Sequence, residues 1–70
     1  MVPHPDDLID EEKMNAELAR RGLTEIDLAE KLMGLGRSAF SVLCGLPPPG
    51  WRARVEAALN LASGALRFKP

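Results

Sequence analysis

Glycine and proline cut this chain into segments of helical length, and that punctuation constrains its fold more than any other feature. Gly22, the triplet Gly34-Leu35-Gly36 and the run Gly45-Leu46-Pro47-Pro48-Pro49-Gly50 fall between stretches whose apolar residues recur every three or four positions. β-Branched residues are few and tyrosine is absent, so strands are not expected. The expected fold class is all-α, a compact arrangement of four to five helices. At 70 residues the chain makes one domain, residues 1–70, with residues 1–9 as a loose N-terminal arm.

A chain this short buries a small core, and the usual staples are missing. One cysteine, Cys44, cannot form an internal disulfide, and one histidine with one cysteine cannot build a structural zinc site. Either the packing is well idealised or a partner subunit adds surface. The start, MVPHPDDLIDEE, has neither a basic beginning nor an apolar signal core, and no apolar run approaches a membrane span. These features, with a lone thiol, give a cytoplasmic protein without membrane contact as the expectation.

The net charge of −1 hides a division. Residues 1–36 sum to −5 and residues 37–70 to +4, the latter through Arg37, Arg52, Arg54, Arg67 and Lys69. A small domain polarised in this way can turn one face to a polyanion and keep the other in water.

The first helix is expected to end at Arg20-Arg21, with Gly22 as a left-handed cap and Met14 and Leu18 facing inward. Asp6, Asp7 and Asp10 are all candidates for its N-cap. HPDDLIDEE reads as capping and solvation rather than as a metal site, because calcium loops need spaced acids and a glycine turn. Thr24 reads as the N-cap of a second helix over Glu25–Met33, with Asp27 completing a capping box. Leu28, Ala29 and Leu32 form its inner stripe. A third helix is expected over Arg37–Cys44, placing Ala39, Phe40 and Leu43 on one face and Arg37, Ser38, Ser41 and Val42 on the other. After a stiff proline link, in which a proline is a candidate for the first helical position, a fourth helix spans about Trp51–Leu61. Its core stripe is Trp51, Val55, Ala58, Leu59 and Ala62, flanked by Arg52 and Arg54. The expected core is Leu18, Leu23, Leu28, Ala29, Leu32, Leu35, Phe40, Leu43, Val55 and Leu59. Cys44 reads as a small packed hydrophobe.

Two short helices joined by a glycine-containing turn make a helix-turn-helix unit. The stretch LARRGLTEIDLAEKLMGLGRSAFSVLCG resembles the Cro/C1-type, lambda-repressor-like family of phage and bacterial regulators. The matching pieces are Arg21-Gly22-Leu23-Thr24, Leu28-Ala29-Glu30-Lys31-Leu32, Gly34-Leu35-Gly36-Arg37-Ser38 and Phe40-Ser41. PPPGWRARVEAALNL looks like the helix that follows in that family, so the resemblance covers about residues 14–62. The proline link and the C-terminal LRFKP are slightly similar to Ner-like phage repressors.

The resemblance implies a small sequence-specific DNA-binding regulator, a repressor acting on double-stranded DNA as a homodimer or with a partner protein. It implies no enzyme activity, cofactor, metal or small-molecule substrate. The implied DNA-binding residues are Thr24, Gly36, Arg37, Ser38, Ser41 and Val42, with Arg52 touching phosphate from the neighbouring helix. Arginine at the start of the second helix of such a unit can bond guanine bidentately. Three departures from the family pattern stand out. The turn is one residue longer, Glu25 stands where the family often has glutamine near phosphate, and the reading face carries a single arginine. The alternative is a protein-interaction module with the helix-turn-helix shape and no DNA binding.

Overall fold

A computed structural model describes residues 4–68 of the chain. Among the described residues there are four helices and no strand, only an isolated antiparallel bridge between Ile9 and Arg67. Helix α1 spans Glu11–Arg20, α2 begins over Glu25–Asp27 and continues as a π-helix over Leu28–Leu32, α3 spans Arg37–Gly45 and α4 spans Trp51–Ala58. None is long and apolar enough to cross a membrane. The lengths follow from local chemistry at each end.

Of the three capping candidates, Asp10 starts α1. Its carboxylate accepts from the N–H groups of Glu12 and Lys13 at 3.0 and 3.2 Å. Gly22 ends α1 with φ +69, and Leu23 N–H returns to the carbonyl of Leu18 at 2.8 Å, the six-to-one closure of a left-handed cap. Thr24 and Asp27 form the expected capping box: the Thr24 hydroxyl accepts from Asp27 N–H, and the Asp27 carboxylate accepts from Thr24 N–H.

The second half of α2 departs from the expected α-helix over Glu25–Met33. Met33 N–H bonds Leu28 C=O, an i to i+5 closure that defines a π turn. The wider turn takes up one residue more than an α turn. Met33 is partly buried against the core, and Leu32 is left outside at 44% exposure. Leu32 is therefore not a core residue. The extra residue in the turn accounts for that correction.

Two further corrections concern α4. No proline occupies its first turn. Pro49 and Gly50 instead fill the centre of a type II turn closed by Trp51 N–H on Pro48 C=O at 3.1 Å, with Gly50 at φ +81. At its far end α4 stops at Ala58 rather than Leu61, because Asn60 adopts φ +56 and Leu61 N–H returns to Glu56 C=O. Asparagine is the side chain after glycine that tolerates this conformation.

The core gathers Met14, Leu18, Leu28, Ala29, Phe40, Trp51, Val55, Leu59 and Leu66. Leu23, Leu35 and Leu43, expected inside, are partly buried against it, whereas Ala39 on α3 and Ala62, which lies past the early end of α4, are exposed. Phe40 is buried while Val42 is 65% exposed, so α3 sits in the register that the longer turn requires.

The described part of the N-terminal arm lies against α4; residues 1–3 lie outside the described residues. Pro5–Asp7 form a 3-10 turn. The Asp6 carbonyl accepts from Arg52 Nε at 2.6 Å, and the Asp7 carboxylate accepts from Gly50 N–H at 2.8 Å. Asp10 N–H bonds Leu66 C=O beside the Ile9–Arg67 bridge. Both ends of the described chain are thus held on α4.

Candidate nucleic-acid interface

The candidate surface begins at the N-terminus of α3. Phe40 anchors the helix from below by an edge-on contact with Trp51, ring centroids 5.7 Å apart at 60°. With that face fixed, Arg37, Ser38, Ser41 and Val42 are left exposed. Gly36 is the N-cap, with no side-chain cap and no acid in the first turn. The first N–H groups of α3 and the positive end of its dipole are therefore free to meet an anion. Nothing in the fold requires glycine at position 36: its φ is −68, and a Cβ there would meet nothing within 4 Å. The missing side chain leaves open space at the start of the helix.

Arg37 makes no ion pair among the described residues, unlike Arg20 and Arg21 (both on Glu17) and Lys31 (on Asp27). It lines a groove of about 510 Å³ between α1, α2 and α3. Thr24 and Ser41 line the same groove, so three of the sequence-derived candidates meet there. Ser38 and Val42 lie on the exposed outer side of α3, and Gly36 caps it. Thr24 spends its hydroxyl on the capping box. Glu25 stands beside it on the groove, exposed, and so does Glu11 of α1.

Cys44, which also lines the groove, carries a raised pKa. Burial is the main cause, the Glu25 and Glu11 carboxylates add to it, and the neighbouring Trp51 indole opposes it. The Trp51 Nε1–H is buried, and its approach to the sulfur falls short of a hydrogen bond. A thiol held protonated in this way is a poor nucleophile, which agrees with a packing role.

Arg52 does not belong to this surface. It is 8% exposed, with Nη1 2.8 Å from both carboxylate oxygens of Glu56 and Nε on the Asp6 carbonyl. The i, i+4 spacing of Arg52 and Glu56 was the signal in the sequence that pointed to a pair. The exposed cation of α4 is Arg54, whose guanidinium lies 5.4 Å from the Trp51 ring centroid. Through Trp51 and Phe40, Arg54 is packed in series with α3.

No protein-family model matches this chain, and no curated protein or solved structure matches it.

Proposed function

We propose that this chain is a small sequence-specific DNA-binding transcriptional regulator of Cro/C1 helix-turn-helix type with a lambda-repressor-like fold. In this reading α2 lies across the backbone of double-stranded DNA and α3 enters the major groove. The observation that carries it is the start of α3. An unpaired Arg37 and Ser38 stand exposed at an uncapped helix N-terminus, on the side away from the Phe40 anchor. Arg37 is the base-reading residue. Ser38 and Ser41 reach bases or phosphates, Val42 meets a thymine methyl, and the open space at Gly36 admits the backbone. Arg54 replaces Arg52 as the phosphate contact from α4.

The regulator acts as a repressor in the cytoplasm. It has no catalytic role or cofactor. A single module covers a short half-site, so useful affinity requires a second copy or a partner protein on the DNA. The test is selection from random duplex DNA with the purified chain. Enrichment of one motif is the expected outcome.

The second reading is a protein-interaction module. Val42 on α3 and Leu46 just past its end, each 65% exposed, favour it, as does Glu25 where a phosphate would lie. Absence of any enrichment at low salt, where phosphate attraction is strongest, would establish this reading over the first.

A further inference from the structure

The groove between α1, α2 and α3 carries opposite charges at its two ends and apolar surface between them. Its volume of about 510 Å³ is that of a small-ligand site. Met14, Ala29 and Phe40 supply the apolar lining. Arg37 opens α3 and Cys44 lies near its end, so the two stand about 10 Å apart along the helix axis. Helix α2 runs from Glu25 toward the turn that leads into Arg37, which puts Glu25 at the end of α2 far from Arg37. Glu11 shares a second hollow with Cys44. Both carboxylates act on the Cys44 thiol. None of the three charges is ion-paired among the described residues. One free cation therefore stands at one end of the groove and two free carboxylates stand toward the other.

That layout fixes the chemistry of an occupant. It needs an anion and a cation about 10 Å apart, with an apolar group between them. A free amino acid is too short, because its amine and carboxylate sit on one carbon. An extended peptide of about three residues spans about 10 Å and carries a free amine at one end and a free carboxylate at the other. The guanidinium of Arg37 suits a carboxylate, which it can bond with two parallel N–H groups. Ser41, exposed on the same lining, offers its hydroxyl to the peptide backbone.

We infer that the groove binds a short apolar peptide with both ends free, its carboxylate on Arg37, its amine on Glu11 and Glu25, and its central side chain on Met14, Ala29 and Phe40. The bound peptide covers Thr24, Arg37 and Ser41, so peptide and DNA exclude each other. That consequence, unlike the binding, rests on the DNA-binding reading. The charged residues of the groove are all exposed to water, so the affinity is modest, with a Kd on the order of 0.1–1 mM.

The experiment is a titration of the full chain with the peptide Ala-Leu-Ala, without DNA, followed by the amide NMR shifts of Ala29, Phe40 and Cys44. Blocking the peptide's amine by acetylation, or its carboxylate by amidation, should each weaken binding about three- to fivefold, with the loss shrinking in high salt. Arg37→Ala should erase the advantage of the free carboxylate and keep that of the free amine. The double variant Glu11→Gln, Glu25→Gln should do the reverse. All three side chains are exposed, so circular dichroism melts should match the parent. Absence of shifts at these amides up to about 10 mM peptide overturns the inference. So does equal binding of the free and blocked peptides, or free leucine binding as tightly as the tripeptide. A variant pattern in which Arg37→Ala removes the advantage of the amine instead also overturns it. The DNA reading is scored separately. If the peptide binds as expected and the chain selects no duplex, the regulator reading fails and the peptide site stands.

Discussion

Glu56 is 1% exposed and its carboxylate joins three parts of the chain. It binds Arg52 on its own helix and accepts from the N–H groups of Gly64 and Leu66 at 3.0 and 2.9 Å. Burial works to raise its pKa, but the N–H groups of Leu66 and Gly64 and the Arg52 guanidinium outweigh it and leave the carboxyl below its usual value. A carboxylate lowered in the folded state stabilises the fold above its unfolded-chain pKa of about 4.3. That contribution is lost as pH falls through the lower folded value. Urea unfolding should therefore show stability declining below about pH 5 in the parent, and Glu56→Gln should flatten that decline. Glu17, held down by Arg20 and Arg21, and Asp27, held down by the Thr24 N–H and Lys31, act with the same sign. Both are on the surface, so the slope they leave in the variant should fade in high salt. Removing the carboxylate altogether, in Glu56→Ala, leaves the buried Arg52 charge with only the Asp6 carbonyl and no counter-ion, and should cost about 3–5 kcal/mol. The same residue decides how the arginines divide. On the DNA-binding proposal, Arg52→Ala should act through stability and leave the salt slope of binding unchanged, whereas Arg54→Ala should lower that slope by about one. Arg37→Ala should cost about 1–3 kcal/mol on the preferred duplex and relax the choice at one base pair. Equal weakening by Arg37→Ala on matched and mismatched duplexes would exclude base reading by Arg37.

At the scale of elements, the π turn in α2 is the device that keeps α3 in place. A residue added to an α-helix rotates everything after it by about 100° unless the extra residue is absorbed in a wider turn. Here the i to i+5 closure of Met33 on Leu28 absorbs it, and Phe40 stays inside. Deleting the exposed Glu30 should let the segment revert to an α turn and preserve the α3 register. Stability should change by no more than about 1 kcal/mol. Deleting Ser38, inside α3, has no such relief. It should turn Phe40 toward water at a cost of about 3–5 kcal/mol, with loss of the near-ultraviolet signal of Trp51. If both deletions prove equally damaging, the π turn is not a buffer. Much of this level was legible in the sequence. Gly22, the Thr24–Asp27 box, Phe40 on α3 and Trp51, Val55 and Leu59 along α4 are local signals realised at the expected residues, whereas Ala39 and Ala62 are exposed. The surplus residue in the turn was countable, but nothing local says whether a loop or a helix will hold it. The early end of α4 is not legible locally, because a left-handed Asn60 competes with continuation of the helix and the contacts of Glu56 with Gly64 and Leu66 decide the outcome. At the site, Arg37, Ser38, Ser41 and Val42 were placed outward from spacing alone. Arg52 was misplaced because an arginine flanking an apolar stripe is normally solvated, and the Asp6 carbonyl that helps to bury it lies 46 residues away.

Across the whole molecule, the described chain closes without a disulfide or a metal by returning both its ends to α4. The N-terminal turn reaches Arg52 and Gly50 through the Asp6 carbonyl and the Asp7 carboxylate. The C-terminal turn reaches Glu56 through the N–H groups of Gly64 and Leu66, and the buried Leu66 side chain enters the core. The two ends also meet each other, through Asp10 N–H on Leu66 C=O and Lys13 Nζ on Arg67 C=O. Chain ends normally open by fraying, at far less free energy than global unfolding. Here a buried ion pair stands behind both, so the ends cannot leave without exposing Arg52 and Glu56 together with Leu66. Native-state hydrogen exchange should therefore give the amides of Asp10 and Leu66 the same opening free energy as those of Val55 and Leu59 in the middle of the core. In Glu56→Gln the node loses its charge, and the end amides should open at lower free energy than the core amides, splitting one cooperative unit into two. Fast exchange at Leu66 in the parent would show that the ends are ornament on a four-helix core. A common opening energy that survives Glu56→Gln would show that the apolar contacts of Leu66, rather than the ion pair, hold the chain closed.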